Sequence, residues 1–63
     1  MPKAFIEIYT THDCSFCKQA KILLNKYSLD FIEHNVDSQI NSQLMKKRTK
    51  GRYKVPQIFI NKN

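Results

Sequence analysis

Thr10-Thr11-His12-Asp13-Cys14-Ser15-Phe16-Cys17-Lys18-Gln19-Ala20 holds both cysteines of the chain, spaced as Cys-x-x-Cys. The apolar run Ala4–Tyr9 comes just before it, and apolar residues at helical spacing come just after it. The two thiols therefore sit where a strand hands over to a helix N-terminus. The first turn of a helix presents unpaired N–H groups and the positive end of the macrodipole. A thiolate there is stabilised, and a cysteine pKa can fall from about 8.5 to about 3.5–7.5. Cys14 stands at the tip and is the candidate nucleophile. Cys17 lies inside the first turn on the same side of the helix. From there it can attack a mixed disulfide on Cys14 and expel the partner thiol. Lys18, one turn beyond Cys14, adds a positive charge nearby.

A Cys-x-x-Cys alone is also half of a zinc site. Zinc takes about four ligands, and only His12 and His34 could join the cysteines. A structural disulfide is a further reading, but so short a loop gives little entropic stabilisation. The strand–helix setting favours redox chemistry over both.

The bulk numbers narrow the class. Sixty-three residues make one domain, 1–63, and a chain of this size buries only about 60% of its unfolded surface. With 41% hydrophobic and 25% charged residues it suits a soluble globular chain rather than a disordered one. No apolar stretch approaches the ~20 residues of a membrane span. The N-terminal apolar run is interrupted by Glu7 and lacks a small-residue cleavage site, so it is no signal peptide. Two cysteines without an export signal fit a reducing compartment, the cytoplasm or an organelle matrix.

The formal net charge is +6, and six of the eleven basic residues lie at Lys46, Lys47, Arg48, Lys50, Arg52 and Lys54. Cations are favoured at a helix C-terminal pole, so most of these read as a solvated helix end. One or two are candidates to meet a substrate carboxylate. Nucleic-acid binding is disfavoured, because Tyr53 is the only aromatic residue interleaved among them.

The remaining elements follow from periodicity. Ala4–Tyr9 alternates as a first strand, with Ala4, Ile6 and Ile8 on one face and Phe5, Glu7 and Tyr9 on the other. Tyr9 reads as packing. Asp13 can cap the helix that follows. His12 reads either as a cation near the thiolate or as a solvated loop residue. The helix runs from Ser15 to about Tyr27, with Phe16, Cys17, Ala20, Leu23, Leu24 and Tyr27 as its apolar stripe. Phe16 is either an apolar wall beside the thiol or a core residue. Leu29–Val36 reads as a second strand, joined to the first by a right-handed parallel crossover. His34 there is a strand-surface residue without a role. Asp37 or Ser38 caps a second helix running to about Lys50, with Ile40, Leu44 and Met45 as its thin apolar side. Gly51 sits where a helix end wants a left-handed residue. Val55–Ile60 is a third strand, and Pro56, lacking an N–H, stands at its start or edge. Asn61-Lys62-Asn63 reads as a turn.

This order resembles the glutaredoxins. The likeness is in Ile8-Tyr9-Thr10, Cys14-Ser15-Phe16-Cys17, Ala20-Lys21-Leu23-Leu24 and Val55-Pro56-Gln57-Ile58-Phe59-Ile60. The resemblance implies an α/β, thioredoxin-like βαβαβ fold with a small mixed sheet. The third strand would be antiparallel to the first, and Pro56 cis and facing the thiols. It implies a glutathione-linked thiol–disulfide oxidoreductase that reduces protein disulfides and glutathione mixed disulfides. Cys14 would take up glutathione and Cys17 would resolve protein disulfides. Glutathione would lie extended with its main chain bonded to Val55, a short form of strand addition.

The departures matter too. Ser15 and Phe16 stand where the family commonly has Pro and Tyr, and a serine there is similar to members holding a [2Fe–2S] cluster with glutathione, Cys14 being the ligand. Thr11 stands where the family often has a lysine, three residues before the first cysteine, so a charge aimed at the thiolate or at the glutathione glycine carboxylate is absent. Lys54 stands where a threonine is usual, and it or Arg52 is the candidate to compensate. Against the family, the chain lacks the usual final strand and helix. That would leave the third strand as an open edge, a route to a homodimer. A cluster carrier and a non-catalytic remnant of the fold are the alternatives to the enzyme.

Overall fold

The computed structural model describes residues 4–51 and 54–62. Ile6–Thr10 forms β1, Ser15–Lys26 α1, Ile32–Asn35 β2, Gln39–Arg48 α2 and Gln57–Ile60 β3. The sheet order is β2-β1-β3. β1 runs parallel to β2, with Thr10 opposite Asn35, and antiparallel to β3, with Tyr9 opposite Gln57. This is the α/β thioredoxin-like core with a mixed sheet that the resemblance implies.

β1 is the centre because both of its faces are covered. Ile6, Glu7, Ile8, Tyr9 and Thr10 are all buried. Ala4 and Phe5 lie outside the strand and are exposed. Phe5 still closes the β1–β3 ladder: its carbonyl accepts from Asn61 N–H at 2.7 Å, and its N–H donates to Asn61 Oδ1 at 2.9 Å.

The helices are held less by apolar stripes than periodicity suggested. On α1 only Cys17 is buried, while Phe16, Leu23 and Tyr27 are exposed. Of the expected stripe, Ala20 and Leu24 are half-buried. On α2 Met45 is buried, but Ile40 and Leu44 are exposed. Ser38 is the N-cap of α2, although its side chain makes no capping bond.

α1 stops at Lys26, one residue short of the expected Tyr27, and α2 at Arg48, two short of the expected Lys50. After α1, Ser28 takes a left-handed φ of 55° and Leu29 N–H reaches back to Leu24 O at 3.0 Å. Those bonds consume the start of the expected second strand, so β2 begins only at Ile32. After α2, Lys50 is the first left-handed residue, at φ 59°, and Gly51 follows at φ 96°. Gly51 N–H returns to Lys46 O at 2.7 Å. This is a Schellman-type closure with a lysine, not the glycine, at the first left-handed position.

The face of β1 that bears Glu7 is built on charge, which alternation did not reveal. Arg48 grips Glu7 with two bonds, Nη2 to Oε1 and Nη1 to Oε2, each 3.0 Å. Arg48 Nη1 also donates to Tyr9 Oη at 3.0 Å. His34 Nε2 lies 3.1 Å from Glu7 Oε2, and its ring lies 4.8 Å from that of Tyr9. The guanidinium carbon sits 3.9 Å from the centroid of the Phe59 ring. β1, β3 and α2 therefore meet at one guanidinium, and β2 joins them through the contact of His34 with Glu7. Arg48, read as a solvated cation, and His34, read as roleless, are both structural. Arg48 is the main reason that the Glu7 carboxyl stays below the ordinary carboxylate range against the opposing effect of burial.

Candidate active site

The turn from β1 to α1 places Cys14 as the N-cap residue, with extended φ −141° and ψ 108°. Its own Sγ is the capping acceptor, receiving the Cys17 N–H at 3.1 Å. Asp13, expected as the cap, is exposed and leaves that task to the cysteine. The reason is geometric: an N-cap side chain reaches the N–H two or three residues on, and Cys17 is three residues after Cys14.

The two thiols are chemically unlike. Both are free; Cys14 is half-exposed and Cys17 is buried. The Cys17 S–H hydrogen bond lowers the Cys14 pKa, helped by the backbone N–H groups of Cys17 and Phe16. Partial burial and the charge of Asp13 work against that lowering. Burial pushes the Cys17 thiol up, and so do its bond to Cys14 and the Cys14 charge; the Thr11 N–H and Lys21 act in the opposite direction. The lowering at Cys14 thus comes from hydrogen bonds at a helix tip rather than from the Lys18 charge. Lys18 is exposed and gives its backbone N–H to Cys14 O at 3.2 Å.

His12 turns to a different partner. Its Nδ1 lies 2.7 Å from Asp37 Oδ2, and its backbone N–H donates to the same oxygen at 3.2 Å. The pair straps the loop before Cys14 to the turn after β2. Asp37 raises the His12 pKa, and His12 in turn lowers that of Asp37. With His12 on Asp37 and His34 on Glu7, neither histidine joins the cysteines. Among the described residues no group of three His, Cys, Asp or Glu side chains is placed to hold a metal ion.

The structure brings Cys14, Cys17 and Thr11 together. Thr11 is half-buried, and its backbone N–H serves the Cys17 sulfur. Phe16 is 70% exposed, so it is not a core residue; its ring lies open on the first turn. The Val55–Pro56 bond is cis, and both residues are half-buried. The β1–β3 register pairs Tyr9 with Gln57. Pro56 directly precedes Gln57 and Thr10 directly follows Tyr9, so both lie at the end of the sheet that leads into the cysteines. Lys54 is exposed, and its carbonyl accepts from Gln57 Nε2 at 2.9 Å. Arg52 and Tyr53 lie outside the described residues. Among the described residues no helix is long and apolar enough to cross a membrane.

Sequence reasoning missed a second polar chain beside the thiols, formed by Thr10, Glu33 and Lys21. Thr10 Oγ1 donates to Glu33 Oε2 at 2.6 Å, and Lys21 Nζ donates to the same oxygen at 2.9 Å. The one signal available was spacing, since Lys21 stands four residues after Cys17.

Comparison with known proteins bears on the same residues. The glutaredoxin family model matches residues 6–63. A probable glutaredoxin of Synechocystis sp. is 47% identical over 60 residues, which cover 94% of this chain and 55% of that protein. Glutaredoxin 3 of Escherichia coli is 39% identical over 57 residues, covering 90% of this chain and 69% of that protein. The chain therefore spans about half the length of the Synechocystis relative. In structure it superposes on glutaredoxin 1 from Francisella tularensis, crystallised with cacodylate, at a TM-score of 0.77 and 25% identity, covering 95% of this chain and 78% of that one. With the strand order, the thiol pair at the helix tip and a family match over residues 6–63 in agreement, this chain belongs to the glutaredoxin family.

Proposed function

We propose that the chain is a glutathione-linked thiol–disulfide oxidoreductase acting on glutathione mixed disulfides and protein disulfides. The observation behind this reading is the asymmetry of the thiol pair: an accessible Cys14 with a lowered pKa, beside a buried Cys17 with a raised one. A thiolate is the attacking species in disulfide exchange, so Cys14 attacks first. On a glutathione mixed disulfide, Cys14 takes the glutathione and the other thiol leaves. A second glutathione thiolate then attacks the glutathione sulfur, regenerates Cys14 and departs as oxidised glutathione. On a protein disulfide, Cys14 forms a mixed disulfide with one substrate sulfur. Cys17 then attacks Cys14, leaving a Cys14–Cys17 disulfide and a substrate dithiol. Two glutathiones restore the pair, and each cycle moves two electrons.

The substrate side of this proposal uses residues at the same end of the sheet. Val55 offers main-chain bonds to an extended peptide, Pro56 shapes the floor and the open Phe16 ring packs against the ligand. Lys54 and Thr11 face its carboxylate. A reducing cytoplasm supplies the glutathione. The alternative, a [2Fe–2S] cluster shared by two Cys14 thiolates, gains nothing from this geometry that disulfide exchange does not.

Coupled turnover tests the reading. The chain is mixed with a small glutathione mixed disulfide, glutathione, glutathione reductase and NADPH. NADPH oxidation well above the uncatalysed rate is expected, linear in chain concentration. A folded chain that adds nothing to the background would overturn the proposal.

A further inference from the structure

The Thr10–Glu33–Lys21 chain is left over once the thiols are assigned. Thr10 is fully buried at the end of β1. Glu33 is on β2 and Lys21 on α1, so the two bonds to Glu33 Oε2 tie three elements together next to the cysteine turn. The side chains of Lys21 and Glu33 are 31% and 36% exposed. A lysine so placed can extend its ammonium to solvent. Here the carboxylate holds it down instead. Lys21 follows Cys17 by four residues on α1, and residues so spaced are neighbours on one helix face.

We infer that Lys21 is a positioning residue for the second half of the exchange: Glu33 and Thr10 hold its ammonium beside Cys17, ready for the moment that sulfur becomes the attacking thiolate. The inference rests on the proposed resolving role of Cys17. In the reduced protein Cys17 is the donor to Cys14, and burial, that bond and the Cys14 charge all keep its proton on. Once Cys14 is in a mixed disulfide it bears no charge and is a poor acceptor. Two of the three influences vanish without any movement of the backbone. Burial remains, opposed by the Thr11 N–H and the Lys21 ammonium. Glu33 also lies on this side, but its charge is met by Thr10 and Lys21. His12 and Asp37 are occupied with each other. The step then balances. Cys17 gives up its proton, the Cys17–Cys14 S–S bond forms and the Cys14–substrate S–S bond breaks. The electron pair leaves on the substrate sulfur, which takes a proton.

The test reads Cys17 alone, with no activity required. Cys14→Ser leaves a neutral group at position 14, as a capped Cys14 would be, and makes Cys17 the single thiol. The titration of its Cβ carbon is followed by NMR, with and without Lys21→Met, Lys21→Gln and Lys21→Arg. Lys21→Met is expected to raise the midpoint and cut the thiolate fraction at pH 7 about 2- to 5-fold, the scale of a partly exposed charge one helical turn away. Lys21→Gln should raise it similarly, and Lys21→Arg should restore the parent midpoint. Equal midpoints in the parent and Lys21→Met would overturn the inference, as would failure of arginine to restore. If Lys21→Met does not fold, Lys21→Gln decides in the same way by a raised or an unmoved midpoint. Coupled turnover of the unsubstituted chain judges the oxidoreductase reading separately.

Discussion

Cys14→Ser is expected to reduce glutathione-coupled turnover by about 1,000-fold or more, the scale of removing a covalent nucleophile. An ordinary thiol of pKa about 8.5 is only a few per cent thiolate at pH 7. Each unit of lowering down to the working pH raises the thiolate fraction about tenfold and costs about threefold in intrinsic nucleophilicity. The helix tip therefore gives a net gain while the pKa stays near neutrality. Serine has no comparable anion to offer. Cys17→Ser should behave differently. Its hydroxyl can still donate to the Cys14 sulfur, replacing the largest stabilising contact. Most turnover of glutathione mixed disulfides should survive. Reduction of a protein disulfide should stall, with substrate trapped on Cys14. Stopped turnover and captured adducts, read by mass spectrometry, check both. If Cys14→Ser retained the parent rate, Cys14 would not be the nucleophile.

Arg48→Ala is the substitution expected to harm stability most. Among the described residues it leaves the buried Glu7 carboxylate with His34 as its remaining side-chain hydrogen-bond partner. Removing one partner of a buried pair costs about 3–5 kcal/mol. The Arg48 side chain is 25% exposed, so a cost of about 2–3 kcal/mol is the reasonable figure after discounting for solvent. A domain of this length has roughly 3–9 kcal/mol in total, so urea or thermal unfolding should show a large loss. Replacing the pair together, Glu7→Leu with Arg48→Met, should recover most of it, because the penalty lies in the unmatched charge. Single substitutions within about 0.5 kcal/mol of the parent would show the pair to be incidental. The same pair sets an acid limit. The Glu7 pKa is lowered in the folded chain. Its contribution is therefore complete above the unfolded value of about 4.3 and is lost as pH falls through the folded value. Glu33, lowered by Thr10 and then Lys21, acts in the same direction. Arg48→Ala should flatten the acid end of the stability profile.

The sequence disclosed the element order, the parallel partner of β1 and the thiols at a strand–helix junction, whereas the antiparallel partner was implied only by the glutaredoxin resemblance. These rest on short-range patterns: alternation in β1, helical spacing after Cys17, and a Pro at the mouth of β3. What stayed hidden depends on which side chains meet across elements. Nothing local in Glu7 says that an arginine 41 residues on will pair with it. An alternating strand with one charge reads as half-exposed, whereas β1 is central and covered on both faces. The capping cysteine was obscured by Asp13, a better capping residue by preference that stands one position too early. The stripe on α1 contains more apolar residues than the sheet beside it covers, which leaves Phe16, Leu23 and Tyr27 open. Gly51 does take a positive φ after α2, but Lys50 takes one before it, because closure is set by where the helix ends rather than by where the glycine stands.

The most direct measurement is the pH dependence of alkylation at each cysteine of the unsubstituted reduced chain, mapped by mass spectrometry. Cys14 should react first, with a midpoint below that of an ordinary thiol, and Cys17 should react later, with a midpoint above it. Coincident midpoints near 8.5, or Cys17 reacting ahead of Cys14, would contradict the assignment of Cys14 as the ionised sulfur.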